Sequence, residues 1–147
     1  MITIIQRVTS ASVTVNSEVI GAIGEGIMAL VAVEKADTHK EAERLLQRIL
    51  NYRIFADSSE RMNLSLRDIG GGLLLVPQFT LAADTQSGNR PSFTPAAAPE
   101  YGRQMFAYLQ QLTVQHHPLV AFGEFGADMQ VALVNNGPVT FTLRCPA

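Results

Sequence analysis

The 147-residue chain has one cysteine, Cys145, and only three histidines, His39 and the adjacent pair His116–His117. A single thiol closes no internal disulfide, which excludes a disulfide-stapled scaffold and fits a reducing compartment. No group of Cys and His has metal-ligand spacing, so a tetrahedral zinc site has no visible ligand set. A Gly-rich phosphate loop of the P-loop or dinucleotide type is also missing. The start of the chain, Met1-Ile-Thr-Ile-Ile-Gln-Arg7, lacks the basic segment and apolar core of a signal peptide. The apolar run Ile27–Val33 is far short of the roughly 20 residues that span a bilayer. These absences lead us to expect a soluble cytoplasmic protein that does not enter membranes. There is no basic surplus either: 11 Lys plus Arg face 13 Asp plus Glu, a formal net charge of −2. A wide non-specific nucleic-acid surface, which works by neutralising phosphates, is therefore not expected. A small, shape-specific RNA contact remains open.

What is present is a foldable core. Hydrophobic residues make up 47% and charged residues 16%, with no low-complexity tract, repeat or linker. The length suits one domain, taken as residues 1–147. Ile2–Val8 and Ala11–Val15 read as strands rich in β-branched residues, with alternation clearest in Ser12–Val15. A turn at Asn16-Ser17 leads to a strand at Glu18–Ile23, and Ile27–Val33 reads as a strand buried on both faces. Thr38 and Glu41 have capping-box spacing, and Ala42, Leu45, Leu46, Ile49 and Leu50 form one helical stripe ending at Arg53. Gly70-Gly71-Gly72 predicts a flexible break before the strand Leu73–Val76, and a loop runs from Ala82 to Pro95. A second helix begins at Pro99, with Tyr101, Met105, Tyr108, Leu109 and Leu112 as its stripe. Strands at Met129–Val134 and Val139–Leu143 flank Asn135-Asn136-Gly137-Pro138, which reads first as a turn. The fold class is α/β or α+β: a mostly antiparallel, barrel-like sheet carrying two main helices.

Four features could carry chemistry. Pro77-Gln78-Phe79-Thr80-Leu81 ends an apolar strand and offers a hydroxyl, an amide and backbone N–H groups for an oxyanion. No histidine or carboxylate sits at a diagnostic spacing from Thr80, so a Ser-His-Asp-type triad is not indicated. Asn135-Asn136-Gly137-Pro138-Val139-Thr140 could aim a backbone carbonyl at a ligand, since glycine permits close approach. His116–His117 reads as an exposed helix end, favourable to the helix dipole. Among the arginines, Arg7 in an apolar strand and Arg90 in the loop need partners.

At the first two features the sequence resembles the D-aminoacyl-tRNA deacylases. That family carries a Ser-Gln-Phe-Thr-Leu motif, matched by Gln78–Leu81, and an Asn-x-Gly-Pro-x-Thr motif, met by Asn135, Gly137, Pro138 and Thr140. The likeness extends to Gln6–Val8, Ala11–Val15, Tyr52–Phe55, Met62-Asn63, Leu81–Asp84, Arg90–Phe93 and Ala127–Val131, almost the whole chain in order. The resemblance implies hydrolysis of the ester of D-aminoacyl-tRNA, with glycyl-tRNA also cleaved and L-aminoacyl-tRNA rejected. It implies no cofactor and no metal. Gln78, Phe79 and Thr80 would be catalytic, their backbone N–H groups holding substrate and oxyanion. Either the Thr80 hydroxyl or the vicinal ribose hydroxyl of the substrate would assist the attack. Asn135, Gly137 and Pro138 would bind substrate, a cis Gly-Pro peptide excluding L side chains from the partner subunit's site, and Arg7 would hold that loop. The partners implied are the charged acceptor end of tRNA and a second copy of the chain.

Pro77 stands where most members carry serine, and proline brings neither hydroxyl nor N–H. A paralogous branch with a trans Gly-Pro peptide, tolerant of some L substrates, also tends to carry proline there, whereas Phe79 and the second motif side with the D-specific branch. Two other function classes stay open at this point. One is a non-catalytic RNA-binding module, and the other a small-molecule esterase with Thr80 activated by a neighbouring histidine.

Overall fold

A computed structural model describes residues 1–147. Its sheet is organised around β1 (Ile2–Val15). On one side the first half of β1 pairs antiparallel with β3 (Gly26–Ala32) and the second half with β2 (Glu18–Ile23). Along its other side β1 pairs antiparallel with β8 (Gln130–Arg144). Beyond β3 the sheet continues in parallel to β6 (Gly72–Pro77) and β7 (Val120–Phe122). A Cβ on Gly21 of β2 would lie 3.0 Å from the Phe122 carbonyl of β7, so the ends of the sheet approach and nearly close it. The expected barrel-like, mostly antiparallel α+β fold is what forms.

Period-2 alternation explains why β6 is buried throughout. Leu73 and Leu75 face a large cluster with Ile5, Ile27 and Val31, covered by the helices α1 (His39–Asn51) and α3 (Pro99–His116). Leu74 and Val76 face the opposite way, into a second cluster with Val8, Val13 and Met28. Both helices start where the sequence predicts. The face that α3 buries holds Gly102, Met105, Phe106, Leu109 and Thr113, so the core edge runs nearer Phe106 than the expected stripe.

Several expectations need correction. The two strands predicted over Ile2–Val15 are one strand, and so are the two predicted around Asn135–Pro138. That Asn-Gly segment is therefore not a turn between strands but an interruption within β8. The three glycines are not a flexible break. Gly70 caps a short helix, α2 (Leu66–Ile69), Gly71 N–H donates to Leu66 O, and Gly72 opens β6. His117 is not exposed: it is buried, and its Nε2–H donates to the Gly71 carbonyl at 2.7 Å, tying the end of α3 to the start of β6. The small hairpin β4 (Phe55–Ala56) and β5 (Met62–Leu64) was not anticipated either.

Helix starts carry an acid-sensitive device. Thr38 donates to the Glu41 carboxylate from its hydroxyl at 2.6 Å and from its backbone N–H at 2.7 Å. These two bonds hold the Glu41 carboxyl below its ordinary range. Ser65 does the same for Asp68, backbone first and hydroxyl second. A carboxyl depressed in the folded state contributes stability that is present above its unfolded pKa and lost as pH falls through the folded one. Thr38→Ala is therefore expected to lower the melting temperature at neutral pH, the gap from the parent shrinking as pH drops below the carboxylate range. A gap that stays constant in thermal melts across that range would remove this account.

Candidate active site

The carboxyl end of β6 delivers the first motif. The Gln78 backbone N–H donates to the Val31 carbonyl at 2.8 Å, pinning the strand end to β3. A single 3-10 turn, Phe79–Ala82, follows. The first N–H groups of any helical turn have no partner within it. Those of Phe79 and Thr80 find no acceptor elsewhere in the chain, which leaves two adjacent donors free. Gln78, whose N–H is occupied, offers only its side chain and carbonyl. The Thr80 hydroxyl donates to Gln78 Oε1 at 2.9 Å and touches no base. His116 is exposed at the end of α3, His117 is committed to Gly71 and His39 stacks on Tyr108, so none of the three histidines hydrogen-bonds Thr80. That removes the physical basis for a histidine-activated threonine.

Beside these donors lies a largely apolar cavity of about 210 Å³, walled by Val31, Gln78, Phe79, Gly102, Phe106 and Phe125. A Cβ on Gly102 would sit 3.1 Å from the Phe125 ring, so glycine there leaves the ring its place. The α3 wall was missed in the sequence because nothing marks Gly102 or Phe106 as other than helix and core. No three His, Cys, Asp or Glu side chains converge as metal ligands would.

The second motif is a large bulge. Gln6 pairs with Thr140 and Val8 with Asn135, so Asn136–Val139 stand against Arg7 alone. Gly137-Pro138 is a cis peptide at the exposed crest of the bulge. The Arg7 guanidinium donates to the Asn136 carbonyl at 2.9 Å and to the Ile54 carbonyl at 2.8 Å, so it bridges the bulge to the segment after α1. Here is the partner that a charged residue in an apolar strand demands. Gln6 Nε2 reaches Asn135 Oδ1 at 3.3 Å and Thr140 Oγ1 at 3.4 Å, closing the neck of the bulge from both sides. The Asn and Thr that bound the motif are thus the two ends of that neck. Gly137 has φ +131°, a backbone state that L side chains rarely adopt, and a Cβ would lie 2.9 Å from an Arg7 terminal nitrogen.

Within one chain the two loops do not meet. The first motif leaves β6 beside Val31, which pairs with Thr3, whereas the bulge opens at Arg7, which pairs with Ile27. Four residues along the sheet and three strand spacings across it amount to about 13 and about 14 Å.

The family model described as D-Tyr-tRNA(Tyr) deacylase matches residues 4–144. A D-aminoacyl-tRNA deacylase of Herminiimonas arsenicoxydans is 62% identical over 144 residues, covering 98% of this chain and 97% of its own. One of Methylococcus capsulatus is 62% identical over 146 residues, covering 99% and 95%. Among solved structures, a c-Myc DNA unwinding element binding protein superposes with TM-score 0.93 at 43% identity, covering 100% of both chains. A probable eukaryotic D-amino acid tRNA deacylase shares the fold with TM-score 0.81 at 17% identity, covering 97% of both chains. With a family model spanning nearly the full length and relatives above 60% identity, the chain belongs to the D-Tyr-tRNA(Tyr) deacylase family.

Proposed function

We propose that this chain is a D-aminoacyl-tRNA deacylase, a hydrolase that releases a free D-amino acid and tRNA. The observation that carries the chemistry is the pair of unsatisfied N–H donors at Phe79 and Thr80, at the mouth of an apolar cavity. Hydrolysis of an ester passes through a tetrahedral oxyanion, and fixed donors aimed at that oxygen lower the barrier. Water adds to the carbonyl carbon, the bond to the terminal ribose oxygen breaks, and that oxygen leaves as a hydroxyl. The largely apolar cavity, with Phe79, Phe106 and Phe125 in its wall, takes the terminal base, which sets the ester over the two donors. With no base near Thr80, the vicinal ribose hydroxyl handles the proton. Thr80→Val is accordingly expected to keep deacylation within about tenfold of the parent, because its backbone donor survives. Loss of two or more orders of magnitude in kcat would make the Thr80 hydroxyl the nucleophile instead.

Selection against L substrates comes from the bulge, with Gly137, Pro138 and Asn135 forming its crest and neck and Arg7 its brace. A D residue turns its side chain away from that crest, and glycine presents none, so glycyl-tRNA is also a substrate. Because the bulge and the Phe79 donors lie far apart in one chain, the bulge serves a second copy, and each site of a two-fold dimer is completed by the other. The long β8 favours this arrangement: it pairs only with β1, and it leaves Val134 and Phe141 exposed beside an open edge. Charged tRNA places the enzyme in the cytoplasm, and no helix is long and apolar enough to cross a membrane. A paired time course tests the function: one tRNA carrying the D or L form of one amino acid, with trace protein. Rapid loss of the D ester alone is expected. Loss of both esters would remove the chiral filter, and loss of neither would remove the hydrolase.

A further inference from the structure

Two phenylalanines at the site are exposed for no reason that the core supplies. Phe79 is 54% and Phe93 43% accessible, and their rings meet at 5.2 Å between centroids, tilted by 58°. Phe79 belongs to the cavity wall, so Phe93 extends the aromatic surface outward from the cavity mouth. The loop that carries Phe93 is held in place. Asp84 and Ser92 exchange two backbone bonds of 2.8 and 2.9 Å, and Ala96 N–H donates to the Phe93 carbonyl at 3.0 Å. Within the span that this pair closes, Arg90 is exposed and makes no ion pair or hydrogen bond to the chain.

We infer that Phe93, backed by Phe79 and flanked by Arg90, is the stacking site for the penultimate nucleotide of the single-stranded acceptor end. This rests on the deacylase reading, which puts the terminal nucleoside in the cavity. The neighbouring base of an unpaired strand must then lie within one nucleotide step of Phe79, and Phe93 is the flat apolar surface at that distance. Aromatic faces bind unpaired bases without sequence preference, and a free guanidinium beside them suits the connecting phosphate. A pre-ordered platform loses little entropy on binding. It also lets a protein of net charge −2 grip the end of a tRNA without a broad basic surface.

The test compares kcat/KM for D-aminoacyl-tRNA with kcat/KM for the same D-amino acid esterified to adenosine alone. The ratio measures what the rest of the acceptor end contributes. Phe93→Ala is expected to lower that ratio about tenfold, the scale of one base–aromatic stack. Phe93→Leu, which keeps apolar bulk without a π face, should lose the same advantage, and Phe93→Tyr should retain it. Arg90→Ala should lower the ratio mainly at low salt. Equal losses on both substrates would make Phe93 structural and overturn the inference, as would an unchanged ratio. A Phe93→Ala protein that sediments at half the parent mass would assign the ring to the subunit interface, and overturns it too. A parent protein inert on both esters overturns the deacylase reading and this site with it, an outcome distinct from a parent that is active and a ratio that does not move.

Discussion

Gly137→Ala is expected to collapse the discrimination between D- and L-aminoacyl-tRNA while leaving the protein folded. Position 137 has φ +131°, where a side chain costs about 1–3 kcal/mol, and the new methyl would meet the Arg7 guanidinium at 2.9 Å and Val139 Cγ2 at 3.0 Å. Relief requires the crest to move or Arg7 to release the Asn136 carbonyl, and either shifts the carbonyls proposed to face the substrate. The ratio of kcat/KM for D over L should fall at least about tenfold, since each 1.4 kcal/mol of lost differential binding is a factor of ten. Gly137 and Pro138 at the crest are exposed, and of the bulge only Val139 packs against the helix-covered cluster, so the melting temperature should move little. Gly88→Ala is the matched control. It has φ +66°, in the left-handed region that L residues visit at modest cost, and open space around a Cβ, and it sits in the 82–95 loop, so it separates a positive-φ effect from the clash with Arg7. A Gly137→Ala protein that keeps the parental ratio would mean that the bulge does not select.

Much of this arrangement is legible in the residues themselves. β-branched residues mark the strand regions of β1, the Asn16-Ser17 turn marks the start of β2, and the Thr38–Glu41 pair marks the start of α1, because these are local effects read from neighbours in sequence. The same capping logic applies at Ser65–Asp68, which starts α2, followed by Gly70 as its cap. Other features depend on strands remote in sequence. Asn135-Asn136-Gly137 has the composition of a turn, yet β1 pairs with β8 on both sides of it, so the chain bulges instead of reversing. Arg7 finds its partners 129 and 47 residues away, and no local pattern announces either carbonyl. His117 looked like a helix-end histidine because its acceptor, the Gly71 carbonyl, comes from another element. The motifs at Gln78–Leu81 and Asn135–Thr140 located the candidate site through family resemblance, and spacing alone left both as ordinary strand ends. Pro77 also has a packing reason: it is buried, and its Cδ lies 3.1 Å from where a Cβ on Gly123 would be, so the ring fills space between β6 and the chain after β7.

The largest effect on the fold is expected from Gly26→Ala. Gly26 opens β3 opposite Gly72, which opens β6, and the two backbones run so close that a Cβ on Gly26 would lie 1.9 Å from the Gly72 carbonyl oxygen. It would also be 2.7 Å from the Gly72 nitrogen and 2.8 Å from its carbonyl carbon. All three are backbone atoms, so no side-chain rotamer can relieve the overlap. The parallel pair must separate at its origin. Separation there would draw Leu73 away from the helix-covered cluster and Leu74 away from the other, loosening both cores at the start of β6. A cost of about 4 kcal/mol or more is expected, a large share of the stability of a domain this size. The protein should be insoluble, or should melt far below the parent and lack deacylase activity. Gly24→Ala, two residues earlier with nothing within 4 Å of its Cβ, should melt within a few degrees of the parent. If Gly26→Ala melted like Gly24→Ala, the close β3–β6 approach would not hold in solution. The strand that carries Phe79 and Thr80 to the mouth of the cavity would then need another register.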